Sequence, residues 1–224
     1  NEAEVGKGIK ASGVNRDRIF VTTKVWPSNL GRKDFLPSVM TSLKKLEMDC
    51  VDLLLIHWPS EEVPLEESIG ELIKAQEQGL TRFIGVSNFN VEMVEESLRL
   101  GAKLITNQVE YHPFLDQGKM LNMLRSNGLS LTAYSPIAQG KVMGNEILKS
   151  IGEKYGKSEV QVTLRWLIEQ EGVMAIPRTS NLMRLSSNVE VFDFRLSEDD
   201  MEQINALHSQ SGRLVDPQWA PEWD

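Results

Sequence analysis

The run Val51-Asp52-Leu53-Leu54-Leu55-Ile56-His57-Trp58-Pro59-Ser60 decides how the rest of the chain is read. Its apolar residues are continuous rather than alternating, which predicts a strand over 51–57 covered on both faces, as in a parallel sheet. The run then breaks off at a histidine, a tryptophan and a proline. An ionisable group at the end of a buried strand either serves a site or simply hydrogen-bonds where it stands, and this stretch alone does not separate the two.

On both sides of it the same unit recurs. Upstream, a helix under way over 1–12 carries Val5 and Ile9 on one face, with Gly13 as its stop. The β-branched and aromatic stretch Ile19–Val25 predicts a strand, and Phe35, Leu36, Val39, Leu43 and Leu46 form a helical stripe. Downstream, strands are expected at Phe83–Ser87, Leu104–Val109, Ser130–Tyr134 and Val173–Ile176. Helices lie between them. Asn90 is a predicted N-cap, Ser158 with Gln161 and Ser197 with Asp200 fit capping boxes, and a short helix is expected near 181–187. Six strands, each followed by a helix without a break in composition, imply right-handed crossovers and one α/β domain over 1–224. An open doubly wound sheet and a (β/α)8 barrel both satisfy this pattern. A barrel needs eight units, so its first two strands and the helix between them would lie before Asn1.

Composition narrows the function. The 224 residues are 41% hydrophobic and 25% charged, with a net charge of -8, which argues against a general nucleic-acid or anionic-membrane surface. One cysteine, Cys50, excludes an intrachain disulfide and reads as a small core residue; a cytoplasmic location follows as the expectation. No Cys/His cluster has metal spacing, and His112 near Glu110 lacks a third ligand. Gly6-Lys7-Gly8-Ile9-Lys10-Ala11 fits a dinucleotide fingerprint but sits inside a helix with no strand before it, and is set aside. The acidic pairs Glu61/Glu62 and Glu66/Glu67 read as a solvated face.

Polar groups collect at the C-terminal ends of the strands: Lys24, His57, Ser87 with Asn88, Gln108, Tyr134 with Ser135, and Arg178. In a barrel these ends face one mouth, where active sites are found. The segments Val21–Lys24, Leu55–Pro59, Ile84–Phe89, Asn107–Pro113, Ala133–Pro136 and Ile176–Ser180 resemble, in order and spacing, the signatures of the aldo-keto reductase family. Short loops and the ending Ala220–Asp224 resemble most the bacterial 2,5-diketo-D-gluconate reductase group.

The resemblance implies a (β/α)8 barrel, six of whose strands are in this chain, that uses NADPH to reduce aldehydes or ketones, such as small dicarbonyls or keto-sugars, to alcohols. It assigns Lys24 as the lysine beside a tyrosine general acid and His57 as the histidine that holds the carbonyl oxygen. It places that tyrosine and a lysine-paired aspartate just before Asn1, so neither is assigned here. Ser87, Asn88 and Gln108 are assigned to the carboxamide of the cofactor, Tyr134 to its nicotinamide face, and Ser135, Pro136 and Ile137, which follow it, to cofactor binding. Arg178, Thr179 and Arg184 are assigned to the 2'-phosphate and Asn188 to adenine; Ser187 departs from the family's frequent glutamate. Trp26 and Trp219 are expected, with His57, around the substrate, whereas Trp58 reads more readily as packing. A monomer, no metal, no nucleic acid and no membrane complete the expectation. The competing reading is a non-catalytic NADPH-binding regulatory or structural protein on the same barrel.

Overall fold

The computed structural model describes residues 1–209 and 212–224. Its strands are β1 (Thr22–Val25), β2 (Val51–Ile56), β3 (Thr81–Ser87), β4 (Leu104–Glu110), β5 (Ser130–Tyr134) and β6 (Val173–Ala175). The helices are α1 (Glu2–Ser12), α2 (Phe35–Leu46), α3 (Leu65–Glu77), α4 (Val91–Arg99), α5 (Gly118–Ser126), α6 (Glu146–Tyr155), α7 (Glu159–Glu169), α8 (Met183–Val189) and α9 (Glu198–Asn205). The strands follow in the order β1-β2-β3-β4-β5-β6, so strand order is chain order, as repeated βα units require. Two compact units can be distinguished, residues 1–107 with 220–224, and residues 108–219.

In the first unit every residue of β2 is buried, which is why its sequence is continuously apolar. It pairs in parallel with β1 on one side and β3 on the other. Leu54, Leu55 and Ile56 are fully buried, and each removes apolar surface worth roughly 1.5–3 kcal/mol. Gly85 of β3 leaves room for its neighbours: a Cβ there would stand 2.7 Å from Leu55 Cδ2 and 2.8 Å from the Thr106 carbonyl oxygen. Gly6 does the same for helix packing, since a Cβ would come within 2.4 Å of the Leu46 carbonyl oxygen. Of the glycine pattern of 6–11, which lies inside α1, Gly6 thus serves helix packing, whereas a Cβ at Gly8 would meet nothing within 4 Å.

Asp52 is the polar exception in β2. Its carboxylate accepts the Val21 N–H at 2.8 Å and pairs with Arg16 at 2.7 Å and Arg82 at 3.2 Å. Burial pushes this carboxyl up, but the Val21 N–H and the two guanidinium groups bring it below the usual range. The same bond corrects the expected strand at 19–25. The Val21 N–H goes to a side chain and its carbonyl accepts both Asp52 and Leu53, so regular pairing starts at Thr22, after a 3-10 turn at Arg16–Arg18. Two smaller corrections are that β6 ends at Ala175 and that α8 runs two residues beyond the expected end at 187. Cys50 is also not a core residue. It is half-buried, on the wall of a cavity of about 630 Å³ near the start of β2. The cations on that wall are already paired, Lys10 with Glu47 and both Arg16 and Arg82 with Asp52.

In the second unit β5 pairs in parallel with β6. Both capping boxes form, Ser158 with Gln161 and Ser197 with Asp200. Asp200 does more than cap α9. Its buried carboxylate accepts from Lys154 Nζ and from the Tyr155 hydroxyl, each at 2.6 Å, which ties α6 to α9. Among the described residues no helix is long and apolar enough to cross a membrane.

Burial would raise the Asp200 carboxyl, but Lys154, Tyr155 and Ser197 hold it at about 2. A depressed folded-state value contributes stability above the unfolded carboxyl pKa and loses it as pH falls through the folded one. Chemical denaturation should therefore show Asp200→Asn to be destabilised by about 1–3 kcal/mol at neutral pH. The gap to wild type should close as pH falls from about 4 toward 2. A gap independent of pH would remove the charge from this account.

Candidate active site

In the first unit, pairing geometry sets the positions of the candidate residues. Lys24 stands opposite Leu55 and Val25 opposite Ile56, so the residues immediately after these strands, Trp26 and His57, emerge side by side. The His57 N–H donates to the Val25 carbonyl at 3.0 Å, and the Trp26 and His57 rings meet edge to face with centroids 5.0 Å apart. Trp26 is 48% exposed and offers its indole to whatever approaches His57. Trp58 is buried and packs edge-on against Trp223, as its packing reading anticipated.

The end of β3 supports this corner. Ser87 and Asn88 are buried, and Asn88 adopts the left-handed conformation at φ 60. Its Nδ2 donates to the His57 carbonyl at 3.0 Å and to Ser87 Oγ at 3.1 Å. Asn107, which opens the 107–113 signature segment, repeats the device: its Nδ2 donates to the Phe89 carbonyl at 2.8 Å. Thus Lys24, Trp26, His57, Ser87 and Asn88 come together at one set of strand ends.

Electrostatics give His57 a definite state. Burial, then the nearby charge of Lys24, lower its pKa to about 4. The imidazole is neutral at physiological pH and can donate one hydrogen bond to a carbonyl oxygen. Burial also lowers the Lys24 ammonium.

The second unit holds the remaining candidates. Gln108 is buried near the end of β4, and the Tyr111 N–H just beyond donates to the Tyr134 carbonyl at 3.3 Å, so the Gln108 and Tyr134 strand ends are neighbours. Ser135, Ala138 and Gln139 have φ values of 47, 48 and 53, a concentration of left-handed non-glycine residues around Pro136 and Ile137. Each such residue costs on the order of 1–3 kcal/mol and is typical of a loop shaped for a ligand. Arg178 and Arg184 are exposed and, among the described residues, make no ion pair. Between them the Asn181 N–H donates to Thr179 Oγ1 at 3.0 Å, and Asn188 and Ser187 are half-buried on α8. Trp219 is 45% exposed. Two guanidinium groups within seven residues that make no ion pair among the described residues suit an anionic phosphate ligand. Among the described residues no cluster of potential metal ligands occurs.

The sequence pattern of the aldo/keto reductase family matches residues 1–209. This chain belongs to the aldo/keto reductase family. It is 41% identical over 229 residues to the methylglyoxal reductase DkgB of Yersinia pestis, covering 100% of this chain and 85% of that protein. The crystal structure of a putative 2,5-diketo-D-gluconic acid reductase B superposes with a TM-score of 0.99 at 48% identity, covering 100% of this chain and 80% of that one. A Bombyx mori aldo-keto reductase solved in complex with NADP superposes at 0.87 with 31% identity, over 96% and 77% of the two chains. The six parallel strands are therefore those of the aldo/keto reductase barrel fold. The family's reductases act on carbonyl groups with nicotinamide cofactors.

NMR titration of the His57 imidazole should give a midpoint near 4, and Lys24→Met should move it upward by removing the neighbouring charge. A midpoint near 6.5 in the wild-type protein would show that the site is wetter than its burial implies.

Proposed function

We propose that this aldo/keto reductase is an NADPH-dependent carbonyl reductase for small aldehydes, ketones and dicarbonyls, keto-sugars included. The observation that carries the reading is the neutral His57 beside Lys24 at adjoining strand ends. When bound, NADPH would supply the hydride to the carbonyl carbon, and water would supply the proton that reaches the oxygen. The His57 imidazole donates to the carbonyl oxygen and holds the carbon in line. Because it does not carry a proton to spare, it orients rather than protonates. The Lys24 charge favours negative charge as it develops on that oxygen, where low dielectric strengthens the effect. Trp26 and, separately, Trp219 are assigned to substrate binding as apolar surface.

None of the chain's three tyrosines fits the general acid. Burial raises the Tyr111 phenol to about 12, despite its bond to Gln170. Burial and then the Glu110 charge raise Tyr134, and the bond to Asp200 raises Tyr155. An acid needs the opposite shift. Tyr134 is instead assigned to stacking against nicotinamide, Ser87, Asn88 and Gln108 to the carboxamide, and Ser135, Pro136 and Ile137 to cofactor binding. Arg178, Thr179 and Arg184 are assigned to the 2'-phosphate and Asn188 to adenine. A cytoplasmic monomer goes with this reading.

The protein should consume NADPH with methylglyoxal or a related dicarbonyl and use NADH poorly. Arg178→Ala and Arg184→Ala should each weaken NADPH binding by about tenfold or more, one charge-assisted contact apiece, with little effect on NADH. Equal losses for both cofactors would detach these arginines from the 2'-phosphate. No NADPH consumption with any carbonyl would refute the reading.

A further inference from the structure

The end of β4 carries a buried pair that the reductase reading leaves unused. Glu110 and His112 are both fully buried. Glu110 Oε1 accepts from His112 Nε2 at 2.9 Å and from the Leu214 N–H at 2.8 Å, and Oε2 accepts the Val215 N–H at 2.9 Å. His112 Nδ1 lies 3.3 Å from the Phe114 N–H, which donates to it, so the ring proton that meets Glu110 is on Nε2. The Phe114 carbonyl in turn accepts the Ser209 N–H at 3.2 Å. The Gln117 side chain donates to the Glu110 carbonyl at 2.8 Å and steadies the strand end from its other side.

Burial alone would push the Glu110 carboxyl up; the donors from His112, Val215 and Leu214 bring it below the usual range, so it is a buried anion that needs all three. A buried carboxylate is costly unless its lone pairs are filled, which makes the attachment of residues 214–215 obligatory rather than incidental. Side chains two apart on a strand point to the same face, so Glu110 holds the later segment on the face that Gln108 occupies. Its charge is also felt at the Tyr134 phenol. The segment held this way, 213–219, leads to the half-exposed Trp219.

We propose that Glu110 is a positioning residue: oriented by His112, its carboxylate fixes the main chain at Leu214–Val215 and thereby sets where Trp219 stands for carbonyl-substrate binding. The proposal rests on the reductase reading, because it concerns the substrate of that reaction. It extends that reading by making affinity for the carbonyl substrate, rather than cofactor affinity, depend on a residue at the base of the segment.

The test compares wild type, Glu110→Gln, Val215→Pro, Trp219→Ala and the Glu110→Gln/Trp219→Ala double variant with methylglyoxal and NADPH. The glutamine keeps the volume but turns an amide N–H₂ toward a main-chain donor. Expected for Glu110→Gln are a KM for methylglyoxal raised about tenfold, kcat within about threefold, NADPH affinity within about twofold, and faster amide exchange at 214–215. The double variant should be no worse than the poorer single one, the mark of two residues acting through one effect. Should Glu110→Gln fail to fold, Val215→Pro carries the test. It keeps both buried side chains and removes only the N–H donated to Glu110 Oε2, and the same rise in KM is expected. Faster exchange with an unchanged KM, or a fall in kcat at constant KM, would overturn the positioning role alone. A wild-type protein that consumes no NADPH would overturn the reductase reading and this role together.

Discussion

The site depends on the parallel pairing of β1 with β2. β2 is buried and apolar on both faces, so the residue that a one-residue slip would misplace is Asp52, whose carboxylate would turn to the other face. That fixed register sets Trp26 beside His57 and Lys24 one step behind. At the opposite end of the strand, Asp52 locks the same pairing through Val21, Arg16 and Arg82. A buried ion cluster adds little net stability, but it penalises any register that leaves the carboxylate unpaired. The chemistry at one end is held by packing in the middle and by charge at the other.

A second theme is the use of buried polar side chains to hold the loops that follow the strands. Asn88 holds the His57 carbonyl, Asn107 the Phe89 carbonyl, and Glu110 the N–H groups of Leu214 and Val215. In each case a short side chain at a strand end bonds main chain from another part of the sequence. Such bonds are strong in a low-dielectric setting and expensive to leave unmade, so they position loops that have little packing of their own. The last residues of the chain obey the same logic. Asn90 caps α4 through the Met93 N–H while its amide donates to the Glu222 carbonyl, and the Asp224 carboxylate accepts the Val91 N–H at the helix start.

Much of this was legible in the sequence because it is local. The continuous apolar run of β2, the glycine stop after α1, and the Ser158 and Ser197 capping boxes are each signalled within a few residues. The start of β1 was not, since it depends on Asp52, about thirty residues later. Cys50 looked like a core residue from its neighbours, but the turn before β2 leaves it on a cavity wall. His112 reads from sequence alone as a residue without metal-ligand spacing. Its partner in the sequence, Glu110, was close enough to see, but the donors that give the pair its purpose lie beyond residue 213. A pair separated by two residues carries no sequence signal for a contact that spans about a hundred.

Lys24 is proposed to act on the reacting carbonyl and not on cofactor binding. Single-turnover hydride transfer from NADPH to methylglyoxal, measured for wild type and Lys24→Met together with NADPH affinity, tests it most directly. The account predicts a rate reduced by about a hundredfold or more, with NADPH affinity within a few-fold of wild type, as expected when charge stabilisation of a developing oxyanion is lost. An unchanged transfer rate, or a loss entirely in NADPH affinity, would contradict it.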